Sequence, residues 1–514
     1  MSMRIHITKQ VLYPILRVIA FGLLFGIIYA QSPVYTSNQN QYFLHGLAAA
    51  GFGNLDVDWL ASTIDPTPVF SFLIYITYLI AQNEFIFYFY YIVLMAIYLF
   101  SLIGIIRIVF NLQNHESILL LTTAIVVVHS AALRFFLARG IGDEWTFVLE
   151  GGVAGQRVLG AVFQPSTFGV LLVLSLCLFL KDKIIMALIA AAGATYFHPT
   201  YLLSAGILVS AYLGTIILVD HNIRKAIWVG FLALLLVTPV VYYVFQSFGT
   251  TSQEAQQAQA ILVDFRIPHH AVVSEWFDLP TLVQLGLVSI SLWFVRKTRL
   301  FTVLLISIII ALTLTIIQVV TSSDALALIF PWRISVILVP LAAVIILASI
   351  TQGISVRYPA FLEQNSRLIK VSCWLALGLV AIAGGLRFGI ECIEKDQAIE
   401  LPMYQFVRVT QGEGEIYLIP TKMQDFRLET GAPIYVDFKS IPYLDDEVLE
   451  WYRRIQLATK FYEDNKVDCN SLERLNQEGI SRVILEADKG PLSCKTAQEI
   501  YHDSYYGIYQ INNP

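Results

Sequence analysis

Apolar and polar residues fall in long blocks along this chain. Nearly unbroken apolar runs cover residues 11–31, 85–110, 117–134, 165–180, 184–198, 200–219, 226–246, 281–295, 300–320, 331–350 and 371–390. Most approach or exceed the roughly 18 residues a helix needs to cross a bilayer core. The pattern predicts a mainly α, polytopic helical membrane domain of about eleven spans. A twelfth run, 67–82, is short and rich in proline and aromatics. The opening "MSMRIHITKQVLYPILRVIAFGLLFGIIYA" joins a charged start to a long apolar run without an obvious small-residue cleavage site, so an uncleaved signal-anchor helix is expected.

Charge placement decides how the spans are threaded. With eleven crossings and 67–82 not crossing, fourteen Lys and Arg fall on one side and five (Arg134, Arg139, Arg157, Arg266 and Arg333) on the other. Lys and Arg favour cytoplasmic loops. The N-terminus is therefore expected in the cytoplasm of a bacterial plasma membrane, with the C-terminal residues outside. If 67–82 crossed, the "KDK", "HNIRK" and "RKTR" turns would all lie outside. Every chemically rich loop then falls on the extracytoplasmic side: 32–84, 135–164, the "FHPTY" turn at 197–201, 247–280 and "SSDALALIFPWR" at 322–333.

From about residue 391 the period changes. "EIYLIP", "APIYVDF", "SRVILEA" and "YYGIYQI" read as strands; "DDEVLEWYRRIQLATKFY" has helical spacing, and "SLERLNQEGI" reads as a helix capped by Ser471. Strands mixed with helices predict a small α/β domain with a partly parallel sheet. The expected organisation is a transmembrane domain over 1–390, with loops 32–84, 135–164 and 247–280, and a soluble extracytoplasmic domain over 391–514.

Composition agrees with a membrane class. Of 514 residues, 57% are hydrophobic and 14% charged, where a soluble chain carries about a quarter charged. The net charge of -5 is small and says little about partners, and no basic block suggests nucleic acid. There is no P-loop, no G-x-S-x-G and no H-E-x-x-H. Cys177, Cys373 and Cys392 lie in or beside apolar runs; Cys469 and Cys494 lie in the polar C-terminal region and can pair if it faces an oxidising compartment.

The loops hold the candidate chemistry. In the first, "LDVDWLA" places Asp56 and Asp58 beside Trp59 and offers a base or a metal ligand, against an ordinary role in which Trp59 anchors at the headgroups and an Asp caps a helix. Asn40 and Gln41 offer hydrogen bonds to a sugar. In the second loop, adjacent Asp143 and Glu144 suit a divalent cation, Arg157 suits a phosphate, and Gln164 stands in "QPS". His198 in "FHPTY" is a substrate contact or a helix cap. In "DFRIPHHAVVSEW", Arg266 suits an anion, and His269 or His270 a proton or hydrogen-bonding role. Pro268 biases the chain toward an extended form, in which the two imidazoles would point opposite ways. Arg333 in "FPWR" either snorkels to the surface or grips a lipid phosphate.

The layout resembles the GT-C glycosyltransferases, in which a span leads to polar residues before "YFLHGLAAAG", then "DWLA", then "DPTPVF". In that family an acidic residue commonly precedes the aromatic of this segment; here Asn40 and Gln41 precede Tyr42. The departure displaces the catalytic acid, if one is kept, to Asp56 or Asp58. The set "NQNQYFLHGLA", "DWLAST", "FQPSTFG", "FHPTY", "FRIPHH", "FPWR" and "TGAPIYVDFKSIPY…EWYRR" also looks like an uncharacterised bacterial membrane-protein family. The resemblance implies transfer of a sugar from a polyprenyl-phosphate donor to an extracytoplasmic glycan or lipid, with membrane lipids and the lipid-linked sugar as partners. The alternatives are a lipid or polysaccharide transporter or flippase, and a catalytically silent glycan-binding relative. The metal, if any, and the oligomeric state are not readable.

Overall fold

The computed structural model describes residues 9–249, 253–463, 469–490, 492 and 494–512; the charged start with Arg4 lies outside the described residues. Helices cover all eleven apolar runs. Six are long and apolar enough to cross a bilayer, or seven when the bent pair His115–Val128 and Ala131–Gly140 is taken as one span. Val18–Tyr29, Pro165–Leu180, Ile184–Phe197 and Leu279–Val295 are shorter apolar helices, as is Pro68–Ala81 from the 67–82 run. The chain is an integral membrane protein, mainly helical, with one small sheet near its C-terminus.

The bend in the pair has a local cause. The first helix ends before His129, and the Ser130 hydroxyl accepts from the Leu133 amide at 3.1 Å, opening a new helix where the old one stops.

The chain forms two compact units. Unit one takes the residues up to Gln31 together with Phe87–Val241 and Ile267–Gly389; unit two takes Ser32–Ile86, Tyr242–Arg266 and Ile390–Pro514. In unit one, neighbouring helices pack pairwise: Val170–Leu180 on Ile184–Phe197, Leu279–Val295 on Ser335–Arg357, and Leu202–Leu218 on Arg299–Thr321. Gly384 permits the closest backbone approach, because a Cβ there would stand 2.1 Å from the Ile27 carbonyl oxygen.

Unit two is built on strands β1 (Tyr417–Leu418), β2 (Arg482–Glu486), β3 (Ala497–His502) and β4 (Tyr506–Ile511) in the order β1-β2-β4-β3. β1 and β2 run parallel, and the other pairs are antiparallel, with Val483 opposite Tyr509. Met403, Val407, Tyr417, Phe426, Ile484 and Ile508 share its core. Helix Asp445–Glu463 carries three acids in its first turn, where the helix dipole favours them.

Three local expectations are corrected. "APIYVDF" makes only an isolated bridge, Ile434 to Tyr417, because the Ile434 amide donates to the Asp58 carboxylate (3.0 Å) instead of extending a ladder. The half-exposed edge strand β3 is additional; its "AQEIYH" lacks an apolar alternation. Helix Cys469–Gln477 already begins at Cys469, so Ser471 lies inside it and is not its cap.

Cys469 and Cys494 form a disulfide, with Cα atoms 5.6 Å apart. Closing a loop of 25 residues removes chain entropy worth about 3 kcal/mol from the unfolded ensemble. Cys469→Ser should therefore lower the stability of this end of unit two by about that amount. Limited trypsin digestion of the full chain, with and without reductant, checks it: the wild type should become as susceptible as the variant only after reduction.

Candidate functional site

Unit one draws three loops together. Residues 147–157 follow a tight path in which the Gly152 amide donates to the Gln156 carbonyl (2.8 Å) and the Val153 amide to the Ser335 hydroxyl (3.0 Å). Pro268 opens a single helical turn, Pro268–Ala271, and Pro331 opens the turn Pro331–Ile334. Between them lies a small cavity of about 10 Å³, room for about one water, lined by Gln156, His270, Ala271, Trp276, Gln318, Ala327, Phe330, Pro331 and Trp332. Phe330, at φ 51°, is left-handed, a strained state for an aromatic residue that is kept where the surroundings over-determine it.

The histidine pair corrects the extended geometry expected for it. Proline sits at the first position of a helical turn, so His269 and His270 share that turn and their ring centroids lie 4.1 Å apart. His269 is exposed and His270 half-buried. His270 Nδ1 lies 2.6 Å from the Ala154 carbonyl oxygen. A carbonyl only accepts, so Nδ1 carries the proton and Nε2 keeps a lone pair. Burial pushes the His270 pKa down to about 3, helped by the charges of His269, Arg333 and Arg157. The imidazole is therefore neutral at physiological pH.

Arg157 and Arg333 are both half-buried, and among the described residues neither pairs with a carboxylate. Arg157 stacks over the Phe147 ring at 3.8 Å. Arg333 stacks over Tyr201 at 4.8 Å, and the Tyr201 hydroxyl donates to the Ser166 carbonyl (2.7 Å); Arg333 Nε is buried without a partner. Arg299 shows the opposite treatment, bracketed by Asp182 and Asp220 at 2.8 Å each. Gln156 Oε1, Gln164 Oε1 and Trp332 Nε1 are likewise buried without partners.

Several sequence candidates thus gather in unit one: Arg157, His269, His270 and Arg333, with His198 reached through Tyr201, against which its ring stands edge-on. His198 is buried, and burial together with the Arg333 charge holds it well below the usual histidine range. Gln164 is buried in the same loop as Arg157. Asp143 and Glu144 sit on their own exposed turn, and among the described residues no ion pair ties them to this group. Trp276, Trp332 and Gln318 were not singled out as site residues. The signal available was Gln318, an amide inside an apolar run, which is costly unless it is used. Its Nε2 donates to the Ala271 carbonyl at 2.9 Å.

The remaining candidates lie in unit two. Asp58 is buried and fully engaged: Oδ2 meets Arg427 (2.8 Å) and the Ile434 amide (3.0 Å), and Oδ1 takes the Leu60 amide (3.0 Å). Arg427 also pairs with Asp437 at 2.8 Å. Asp56 is exposed. Asn40 donates to Asp425, and Gln41 to the Ile441 carbonyl (3.2 Å) and the Tyr443 hydroxyl (3.1 Å). Arg266 donates to the Lys439 carbonyl (2.7 Å) and stacks on Phe438, with its Nε buried and unpartnered. A small cleft lined by Gln41, Tyr42, His45 and Asp65 lies in this unit. Among the described residues, no group of three or more His, Cys, Asp or Glu stands close enough to hold a metal ion.

Residues 399–458 match a family described as a domain of unknown function, DUF6798. No curated protein matches the chain. Among solved structures, ArnT from Cupriavidus metallidurans bound to undecaprenyl phosphate is similar at a TM-score of 0.49 and 12% identity, over 97% of this chain and 98% of that one. ArnT from the same organism in the apo state gives 0.45 and 12%, over 98% of each chain.

The Arg427 pairing makes a sharp expectation. Arg427→Leu leaves Asp58 and Asp437 buried and uncompensated and should cost about 3–5 kcal/mol, whereas Asp56→Asn, on the surface, should change stability by less than about 0.5 kcal/mol. Thermal denaturation of the full chain in detergent, followed on both variants, separates the two.

Proposed function

We propose that this chain is a membrane glycosyltransferase that moves a sugar from a polyprenyl-phosphate donor to an extracytoplasmic glycan or lipid. The observation that carries the proposal is the pairing of two half-buried guanidiniums, Arg157 and Arg333, left without carboxylate partners, with a neutral histidine whose Nε2 is an acceptor. A guanidinium kept out of water without a counter-charge is unfavourable, and a phosphate relieves that cost through short charge-assisted hydrogen bonds.

In this mechanism Arg157 and Arg333 hold the donor phosphate. The acceptor hydroxyl oxygen forms a bond to the anomeric carbon as the bond from that carbon to the phosphate oxygen breaks. The hydroxyl proton passes to His270 Nε2, and the bonding electron pair leaves with the polyprenyl phosphate, whose charge the guanidiniums stabilise. Burial is the main cause of the low His270 pKa, and the positive neighbours that add to it are offset by a bound phosphate, so the base strengthens when the donor is in place. Gln164 and His198 are contacts for the rest of the substrate, and Asp143 and Glu144, being exposed, are the unit-one carboxylates open to an incoming acceptor or a divalent cation. The Cys469–Cys494 disulfide and the Lys and Arg asymmetry support an extracytoplasmic C-terminal region in a bacterial plasma membrane.

A silent glycan-binding relative has one observation in its favour: no carboxylate lines the unit-one cavity. Consumption of polyprenyl-phosphate sugars by the purified protein decides between them. Turnover should fall about a hundredfold or more in His270→Ala and in Arg333→Ala, and should persist in Asp143→Ala. Full activity in His270→Ala with loss in Asp143→Ala would transfer the base role to the carboxylate; binding without turnover in the wild type would leave the silent alternative.

A further inference from the structure

We infer that the small unit-one cavity is a site for one fixed water, held by Trp332, Gln156 and His270, and that this water carries the acceptor proton to His270; the second half rests on the transferase proposal above. The cavity measures about 10 Å³, close to the least that holds a water. Size alone does not decide the matter, because an apolar cavity stays dry. This one is polar at three points. Trp332 Nε1 is buried with no partner. So is Gln156 Oε1, in a side chain only 8% exposed. His270 Nε2 keeps its lone pair, because the proton sits on Nδ1, bound to the Ala154 carbonyl (2.6 Å). All three residues line the cavity. Gln318, which also lines it, is held in place by its bond to the Ala271 carbonyl (2.9 Å).

One donor and two acceptors define what can sit between them. A buried polar atom left unpaired loses its hydration without return. Water accepts from the indole N–H and has two hydrogens, one for the amide oxygen and one for the imidazole lone pair. About three hydrogen bonds is the usual number for a buried water. Charged occupants fit worse. An anion would meet the two acceptors. A cation would meet the indole N–H, with Arg157 and Arg333 as positive neighbours. A water there also stands between His270 and the acceptor. A sugar does not fit this volume, so a hydroxyl outside the cavity reaches Nε2 across the water. General-base catalysis works at hydrogen-bond reach or through one water. As the acceptor oxygen bonds to the anomeric carbon, its proton passes to the water oxygen, and one of the water's own protons passes to Nε2. The water is regenerated, the imidazole becomes imidazolium, and the bonding pair departs with the polyprenyl phosphate. Trp332 and Gln156 are then positioning residues that act through the water.

A cryo-EM map of the full-length protein in nanodiscs tests the first half. It should show one compact density within hydrogen-bond distance of Trp332 Nε1, Gln156 Oε1 and His270 Nε2; a map that resolves these side chains and shows nothing between them overturns the water site. Single turnovers of a polyprenyl-phosphate sugar in mixtures of light and heavy water test the second. The wild-type rate should fall along a curve below the straight line that one moving proton gives. Trp332→Phe and Gln156→Met each remove one partner of the water and keep most of the side chain's bulk. Each should lower the single-turnover rate on the order of tenfold, the worth of about one hydrogen bond, without weakening donor binding. Neither the map nor the wild-type curve depends on how the variants fold. A straight line in the wild type, or variants that weaken donor binding and keep the rate, overturns the relay and leaves direct transfer to His270 with the transferase proposal intact. If the wild type consumes no such donor, the transferase proposal fails and takes the relay with it, and the map alone decides the water.

Discussion

Unit two depends on a single guanidinium. Arg427 is buried between Asp58, which comes from the first polar loop, and Asp437, which comes from the C-terminal stretch. Three charges away from water are tolerable only when they satisfy one another, so sequence segments 369 residues apart are locked in one register. Other contacts fall into line with it. Gly53 and Gly431, both left-handed, approach so closely that a Cβ on Gly53 would meet the Gly431 carbonyl oxygen at 2.3 Å, and the Asn54 amide donates to that same oxygen at 2.8 Å. Gln41 reaches Ile441 and Tyr443, and the Tyr243 hydroxyl donates to the Asp65 carbonyl at 2.5 Å. The polar C-terminal residues therefore do not close a core alone; they use the first loop as one of its walls.

Unit one handles positive charge differently. Where Arg299 is bracketed by two aspartates, Arg157 and Arg333 lean on aromatic rings that lower the cost of holding a cation without neutralising it. Unpaired charge, a neutral histidine and buried polar atoms without partners are each unfavourable for folding. Found near one histidine, His270, they mark a place shaped for something other than stability.

What was legible in the sequence follows from how local each signal is. A run of twenty apolar residues declares a helix by itself, and all eleven runs proved helical. Residues with strong punctuation also read well, such as the acids opening Asp445–Glu463 and the apolar β2 and β4. Partners chosen at long range did not. Asp58 looks like a free acid beside a tryptophan until Arg427 arrives, and Ile434 looks like mid-strand until Asp58 takes its amide. The histidine pair was misread for a more local reason: a proline that breaks one conformation also starts another, and Pro268 starts a turn. Arg157 and Arg333 were visible as loop arginines, but that they share a neighbourhood with His270 depends on three loops folding toward one another.

The missing carboxylate in the cavity has a physical logic. An aspartate or glutamate placed among these guanidiniums would pair with them, as Asp58 pairs with Arg427 and as Glu429 pairs with Lys395 (2.5 Å) and Arg408 (3.5 Å) in unit two. An internal pair of that kind must be broken before a phosphate can bind, and the incoming anion would meet a like charge. A neutral imidazole avoids both costs. In the proposed mechanism it presents a lone pair toward a hydroxyl, leaves the guanidiniums unspent, and gains basicity from the phosphate that they would hold. The proposed base and anion site would then stand side by side without cancelling each other, which a carboxylate in the same position would not permit.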